Sequence, residues 1–450
     1  MLNLTWAQPE HLVAHVLVAR RLDGCDVDDI AGRWAAAGGS LVAPEAGATL
    51  EPVSPELRAL ARALLRELDS VAAPAALSAV EPDDLEAIER LAPGAAPSRT
   101  PADLADRVHG GWLGRAAGCL LGKPVESVRR DGIRAIASST GNWPVQGYFT
   151  AIGLDPDVAA AHPWNRASRT TSLVENIAGM PEDDDLNFAL LALLLIEQRG
   201  EELTTDDVAL AWLERLPGKR VFTAERIAYR NLLDGYESDE AATIGNPFSD
   251  WIGAQIRTDV YGWVCPGDPA RASALAWRDG WLSHRRNGLY GAMFVAAATS
   301  AAVTAASVDE CVRIGLSVVP PQSRYAQAVR RGVELGRSDL DHDAAVDELY
   351  AEYGHLHWVH VLNNSALMAF ALTRSGGDFA TAIGTCVAGG WDTDSNGATV
   401  GSICGALTGA AALPAAWIDP LRNRLATTIA GFDGIGFDEL ARRTVAARLR

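Results

Sequence analysis

The sequence predicts an all-α protein. Apolar residues recur at spacings of three and four along most of the 450 residues. Strand-like alternation is scarce, and there is neither a β-α-β rhythm nor a repeat of fixed period. Apolar residues make up 48 % and charged residues 21 %, a balance that supplies a large core.

From the N-terminus, "PEHLVAHVLVARRLDG" (9–24) has helical apolar spacing and stops at Gly24. "SPELRALARALLRELDSV" (54–71) starts with Ser54 as N-cap, with Glu56 charging the first turn. "APGAAPSRTPADL" (92–104) carries Pro93, Pro97 and Pro101 and reads as a linker. The expected organisation is therefore a helical N-terminal accessory region, 1–100, ahead of the main domain, 101–450. Further helices are expected at 102–122, 185–199, 205–215, 268–283, 288–306, 308–318, 323–336, 343–352, 361–374, 378–387, 397–412 and 417–430. The loops 131–182 and 235–267 are long and rich in Trp, Gly, Pro and Asn, a composition more often functional than idle.

Two of these helices carry glycine at every fourth position: Gly110, Gly114, Gly118 and Gly122 in one, Gly397, Gly401, Gly405 and Gly409 in the other. Each run makes one face of a helix. A helical glycine costs about 0.5–1 kcal/mol relative to alanine, so close backbone approach is expected to offset it. Residues 396–418 carry no charge. They read as a buried helix, not a membrane span, because they are Ala/Gly-rich, end at Pro414 and begin beside carboxylates.

The net charge of −18 makes nucleic acid a poor partner. The six cysteines form no C-x-x-C pair and read as reduced, buried thiols. "MLNLTWAQPEHL" lacks the basic start and apolar core of a signal peptide, so a cytoplasmic protein is expected.

The chemistry is expected where acids precede apolar helices. "MPEDDDLNFALLALLLIEQ" (180–198) opens with Glu182, Asp183, Asp184 and Asp185; "GGWDTDSNGATVG" (389–401) holds Asp392, Asp394 and Ser395. One aspartate caps a helix. Four acids in a row, with two more in a similar setting, exceed capping and predict a bound cation. All the donors are oxygens, which favours Mg²⁺, then Mn²⁺ or Ca²⁺. "DTDSNG" begins like an EF-hand loop, but Ile403 stands at its twelfth position, which excludes that reading.

Five segments together carry a resemblance: "GGWLGRAAGCLLGKPVE" (110–126), "PEDDDLNFAL" (181–190), "LSHRRNGLYGAMFVAAA" (282–298), "VVPPQSRYAQAV" (318–329) and "DFATAIGTCVAGGWDTDSNGATVGSICGALTG" (378–409). In this order they resemble the ADP-ribosylglycohydrolase family. The resemblance implies an all-α, orthogonally packed fold with two magnesium ions, hydrolysing a glycosidic bond at the anomeric carbon of ADP-ribose. It assigns Glu182, Asp183, Asp184, Asp392, Asp394 and Ser395 to metal. Glu126 and Asp183 become candidates for acid–base work. His284, Asn287 and Tyr290 fall on a stretch lining the ligand cleft, and Gly253 and Gly390 lie on turns suited to phosphate. The first motif is usually T-D-D-T; here Glu182 and Asp185 replace the threonines, and Cys119 stands where aspartate is common. The expected partner is an ADP-ribosylated substrate or a small ribosyl conjugate. A nucleoside or other small N-glycoside on the same centre is the rival substrate, and a non-catalytic structural member the rival class. His355, His357 and His360 read as structural.

Overall fold

Helices Leu104–Gly122 and Thr393–Thr408 cross at the centre of the molecule with their glycine faces in contact. The computed structural model describes residues 4–449. Gly110, Gly114, Gly118 and Gly122 face Gly405, Gly401, Gly397 and Thr393 in turn, so the two helices run antiparallel. At each of these four glycines a Cβ would fall on the carbonyl oxygen opposite. The absent side chains are what allow the backbones to close, as the spacing predicted.

Other helices wrap this seam. Asn287–Ala302 is buried at every position, and Val361–Ser375 and Phe379–Ala388 cover the second seam helix. Among the described residues there is no sheet, only three isolated bridges, so the all-α expectation holds. No described helix is long and apolar enough to cross a membrane.

Most predicted helices appear within a few residues of their expected ends. The exceptions have local causes. The 397–412 helix starts earlier, at Thr393, and stops at Thr408, where Gly409 takes φ +79°. Residues 417–430 do not form a helix: a short turn, Ala415–Ile418, gives way at Pro420, and Arg422 and Asn423 adopt left-handed φ of 50° and 46°. Helices Thr223–Leu233 and Phe437–Ala446 went unpredicted. The two long loops contain the helices Arg130–Ser139, Pro156–Ala161, Ser238–Ala241 and Asp259–Val264.

The N-terminal helices are fastened to the rest of the chain. Trp6, Leu12, Val16 and Leu64 share one apolar cluster with Phe248, Trp251 and Ile252. Buried Glu81 lies 2.7 Å from Arg324 Nη2 and accepts from Asn287 Nδ2 at 2.9 Å. Asp23 pairs with Arg286 at 2.7 Å and with Arg324 at 3.1 Å. These contacts speak against a dispensable accessory region. Deleting residues 1–100 is expected to give insoluble or molten protein, because it uncovers this cluster and removes both carboxylates that pair with Arg324. Glu81→Ala in the full chain is expected to lose about 3–5 kcal/mol in denaturant titration; an unchanged midpoint would refute the structural role.

Candidate active site

Two helix starts and one tight turn converge on a cavity of about 800 Å³. Asp183 is the N-cap of helix Asp184–Arg199, its side chain accepting from Asp185 N. Asp392 precedes Thr393–Thr408, which puts Asp394 and Ser395 in that helix's first turn. The turn Lys123–Val125 ends the first seam helix and delivers Glu126. Thr393 Oγ1 donates to Gly122 O at 2.9 Å, tying the turn to the second acidic helix.

The loop before Asp392 is held in an uncommon conformation. Trp391 has φ +58°, a region bulky residues seldom occupy. Its ring stacks on Tyr350 at 4.3 Å, with an interplanar angle of 12°. Asn364 Oδ1 accepts from Asp392 N at 3.1 Å and from Asn396 Nδ2 at 2.6 Å.

All six residues predicted as metal ligands (Glu182, Asp183, Asp184, Asp392, Asp394 and Ser395) line this one cavity, as do Asp185, Glu126 and Gly253. Glu126 Oε2 accepts from Asn165 Nδ2 at 2.9 Å. Glu182 accepts from Asn187 at 2.8 Å and pairs with Arg220 at 2.9 Å, so it is held from two sides. Ser395 Oγ donates to Asp185 Oδ2 at 3.3 Å, joining the two acidic motifs.

Burial raises the carboxyl groups of Glu126, Asp184, Asp185, Asp392 and Asp394, and their negative neighbours raise them further. Asp183 goes the other way. Burial pushes it up, but the ammonium of Lys123, in direct contact with it, and the Asp185 hydrogen bonds bring it below the usual range. Repulsion among buried carboxylates is what a divalent cation relieves. The Cys119 thiol and the Asp183 and Asp185 carboxylates have ligand atoms within 4.8 Å of one another, a buried group that could hold a metal ion. Burial keeps the Cys119 thiol protonated, so the oxygen atoms are the donors that suit a hard cation.

Two basic residues went unnoticed in the sequence. Lys123 sits in "GKPVE" at the end of an apolar helix. Arg115 is the lone charge between "GGWLG" and "AAGCLLG". A charge in such a run must be paired. Arg115 is fully buried, 2.7 Å from Asp259 and bonded to Asp185 O at 2.8 Å, where it braces the first acidic helix start.

Four expected ligand residues lie elsewhere. His284 is buried, its Nδ1 2.8 Å from Ser283 Oγ and its Nε2 accepting from Ala254 N at 3.3 Å. Asn287 and Tyr290 are used up by the N-terminal segment: Asn287 bonds Glu81, and Tyr290 OH donates to Pro82 O at 2.5 Å. Gly390, at φ +81°, packs against Arg130 and Tyr350 behind the acidic loop. None of the four lies on the cavity wall: Asn287 and Tyr290 turn to the segment 81–82, His284 to Ser283 and Ala254, and Gly390 to Tyr350 and Arg130. His357 stacks on Trp251 at 4.3 Å, and His360 caps helix Val361–Ser375, in keeping with structural roles.

A glycine seam whose helix ends meet a shared acidic centre defines an all-α domain built around one polar cavity. The model of the ADP-ribosylglycohydrolase family matches residues 100–449, and the chain belongs to that family. Membership supports a glycohydrolase type of chemistry. An uncharacterized protein of Archaeoglobus fulgidus is 26 % identical over 316 residues, 69 % of this chain and 90 % of its own. A chain of a solved ADP-ribosylglycohydrolase-related protein complex is similar over 78 % of this chain and 100 % of its own, with 20 % identity and a TM-score of 0.47.

Proposed function

We propose that the protein is a magnesium-dependent hydrolase that cleaves a glycosidic bond at the anomeric carbon of an ADP-ribosyl or related ribosyl conjugate. The observation carrying this reading is the gathering of both acidic motifs and Glu126 on one cavity wall. Divalent ions bound there, Mg²⁺ before Mn²⁺, would supply Lewis acidity toward the ribose hydroxyls and a water.

The chain's own groups account for the rest. Asp184, Asp392, Asp394 and Ser395 present oxygen donors from two helix starts. Lys123 holds Asp183 by direct contact, and Arg115 braces the backbone of Asp185. Glu126 is oriented by Asn165 and serves as the base that takes a proton from the attacking water. Gly253 lets the chain pass close to Glu225, whose carboxylate would overlap any Cβ there.

Release of ADP-ribose from arginine- or serine-linked conjugates, measured with and without Mg²⁺, tests the reading. Glu126→Gln is expected to slow it about 10²–10⁴-fold with little change in KM, since an amide accepts no proton from water. A variant at full rate would move the base elsewhere.

A further inference from the structure

The N-terminal segment forms one side of the cleft as well as fastening the chain. Thr5, Trp6, Glu45 and Ala46 line the acidic chamber together with the carboxylates. His15, Ala19, Asp23 and Glu45 line a second chamber of about 670 Å³. Glu45, Ser127 and Trp358 border both, so the chambers adjoin. None of the N-terminal wall lies within the matched region, which begins at residue 100.

We propose that this wall restricts the site to low-molecular-weight ribosyl conjugates. The sugar sits in the acidic chamber, and a planar group that donates a hydrogen bond sits in the second. The inference rests on the hydrolase reading above and narrows its substrate class.

The wall is held at its tip. Arg226 Nη1 donates to both Thr5 O and Thr5 Oγ1 at 2.8 Å. Trp6 N donates to Gly47 O at 2.9 Å, and the Trp6 ring packs edge-on against Phe248 and Trp251. A conjugate carried on a folded protein would have to pass its attachment point between this wall and the acidic helices. A free conjugate meets no such limit.

The second chamber has its own chemistry. Trp251, Trp358 and Trp391 supply aromatic surface. His15 is 5 % exposed, lines this chamber, and its Nε2 has no partner among the described residues. Burial, and then the neighbouring His357, hold His15 down at about 3, while its ring bonds the Pro44 backbone. Its free nitrogen is therefore an acceptor, enclosed in this conformation, that an N–H or O–H reaching the aromatic wall would satisfy.

The full chain with Mg²⁺ is assayed on ADP-ribosylated arginine and serine as free amino acids, and on the same linkages in a folded protein. ADP-ribose affinity is measured by calorimetry for the wild type, Ala46→Trp and His15→Phe, with melting curves to check the fold. Free conjugates are expected to turn over at least about ten-fold faster, one step of roughly 1.4 kcal/mol. Ala46→Trp, on an exposed stretch of the wall, is expected to weaken ADP-ribose binding by a similar factor. His15→Phe keeps a ring and loses the acceptor, for a loss of about five-fold. Equal or faster turnover on folded protein overturns the proposal. So does ADP-ribose binding indifferent to Ala46→Trp, and binding indifferent to His15→Phe overturns the second-chamber assignment. No turnover of any conjugate, together with binding that Ala46→Trp weakens, sinks the hydrolase reading while supporting the wall. No turnover and no such sensitivity overturns both.

Discussion

Asp392→Asn combined with Asp394→Asn is expected to abolish Mg²⁺ binding in calorimetry while the helical circular dichroism spectrum persists. The two carboxylates lie at one helix start, facing Asp183, Asp184 and Glu126 across the cavity. Each is raised by burial and by its acidic neighbours. Asparagine keeps the shape and an oxygen but removes the charge that draws a hard cation. The fold should survive because these bonds shaping the loop use neither carboxylate: Asp392 N donates to Asn364 Oδ1, and Thr393 Oγ1 donates to Gly122 O. Wild-type Mg²⁺ affinity in the double variant would sink the metal assignment.

The second large effect is expected at the seam. Gly118→Ala should destabilise the protein, although alanine is favoured over glycine by about 1 kcal/mol in an ordinary helix. A Cβ at Gly118 overlaps the carbonyl oxygen of Gly397, and backbone cannot rotate away as a side chain can. The helices must part or bend. Overpacking costs about 1–3 kcal/mol where side chains can yield, so the loss here should reach at least the top of that range. Gly118→Leu should prevent folding. Gly32, which has nothing within 4 Å of a Cβ, is the control: Gly32→Ala should be neutral or stabilising. Melting curves that rank Gly118→Ala level with Gly32→Ala would show that the seam tolerates separation.

The sequence was most informative where one rule governed many residues. Glycine at every fourth position told of a backbone-to-backbone helix pair, and the pair exists. Acids ahead of apolar helices told of a shared polar centre, and Glu182 to Asp185 meet Asp392 and Asp394 there. It was least informative where long-range partners decide. His284, Asn287 and Tyr290 look like cleft residues in their local segment. Glu81 and Pro82, 206 and 208 positions away, take Asn287 and Tyr290, while Ser283 and Ala254 take His284, and no local pattern announces the long-range pairing. The 417–430 segment failed for a different reason. Its apolar spacing is helical, but Pro420 and two left-handed residues break the backbone. Arg115 and Lys123 were legible in principle, since a single charge in an apolar helix demands a partner.

The glycine seam also acts as a ruler. Its last contact, Gly122 against Thr393, lies at the edge of the acidic centre, four residues before Glu126 and one after Asp392. Spacing set by interdigitated side chains drifts as rotamers change. Spacing set by peptide groups pressed on one another has almost no slack. The proposed base and the two aspartates are thus mounted on opposite jaws of a caliper that backbone contact holds shut. Changes in side-chain packing elsewhere in the core have little leverage on the gap between them.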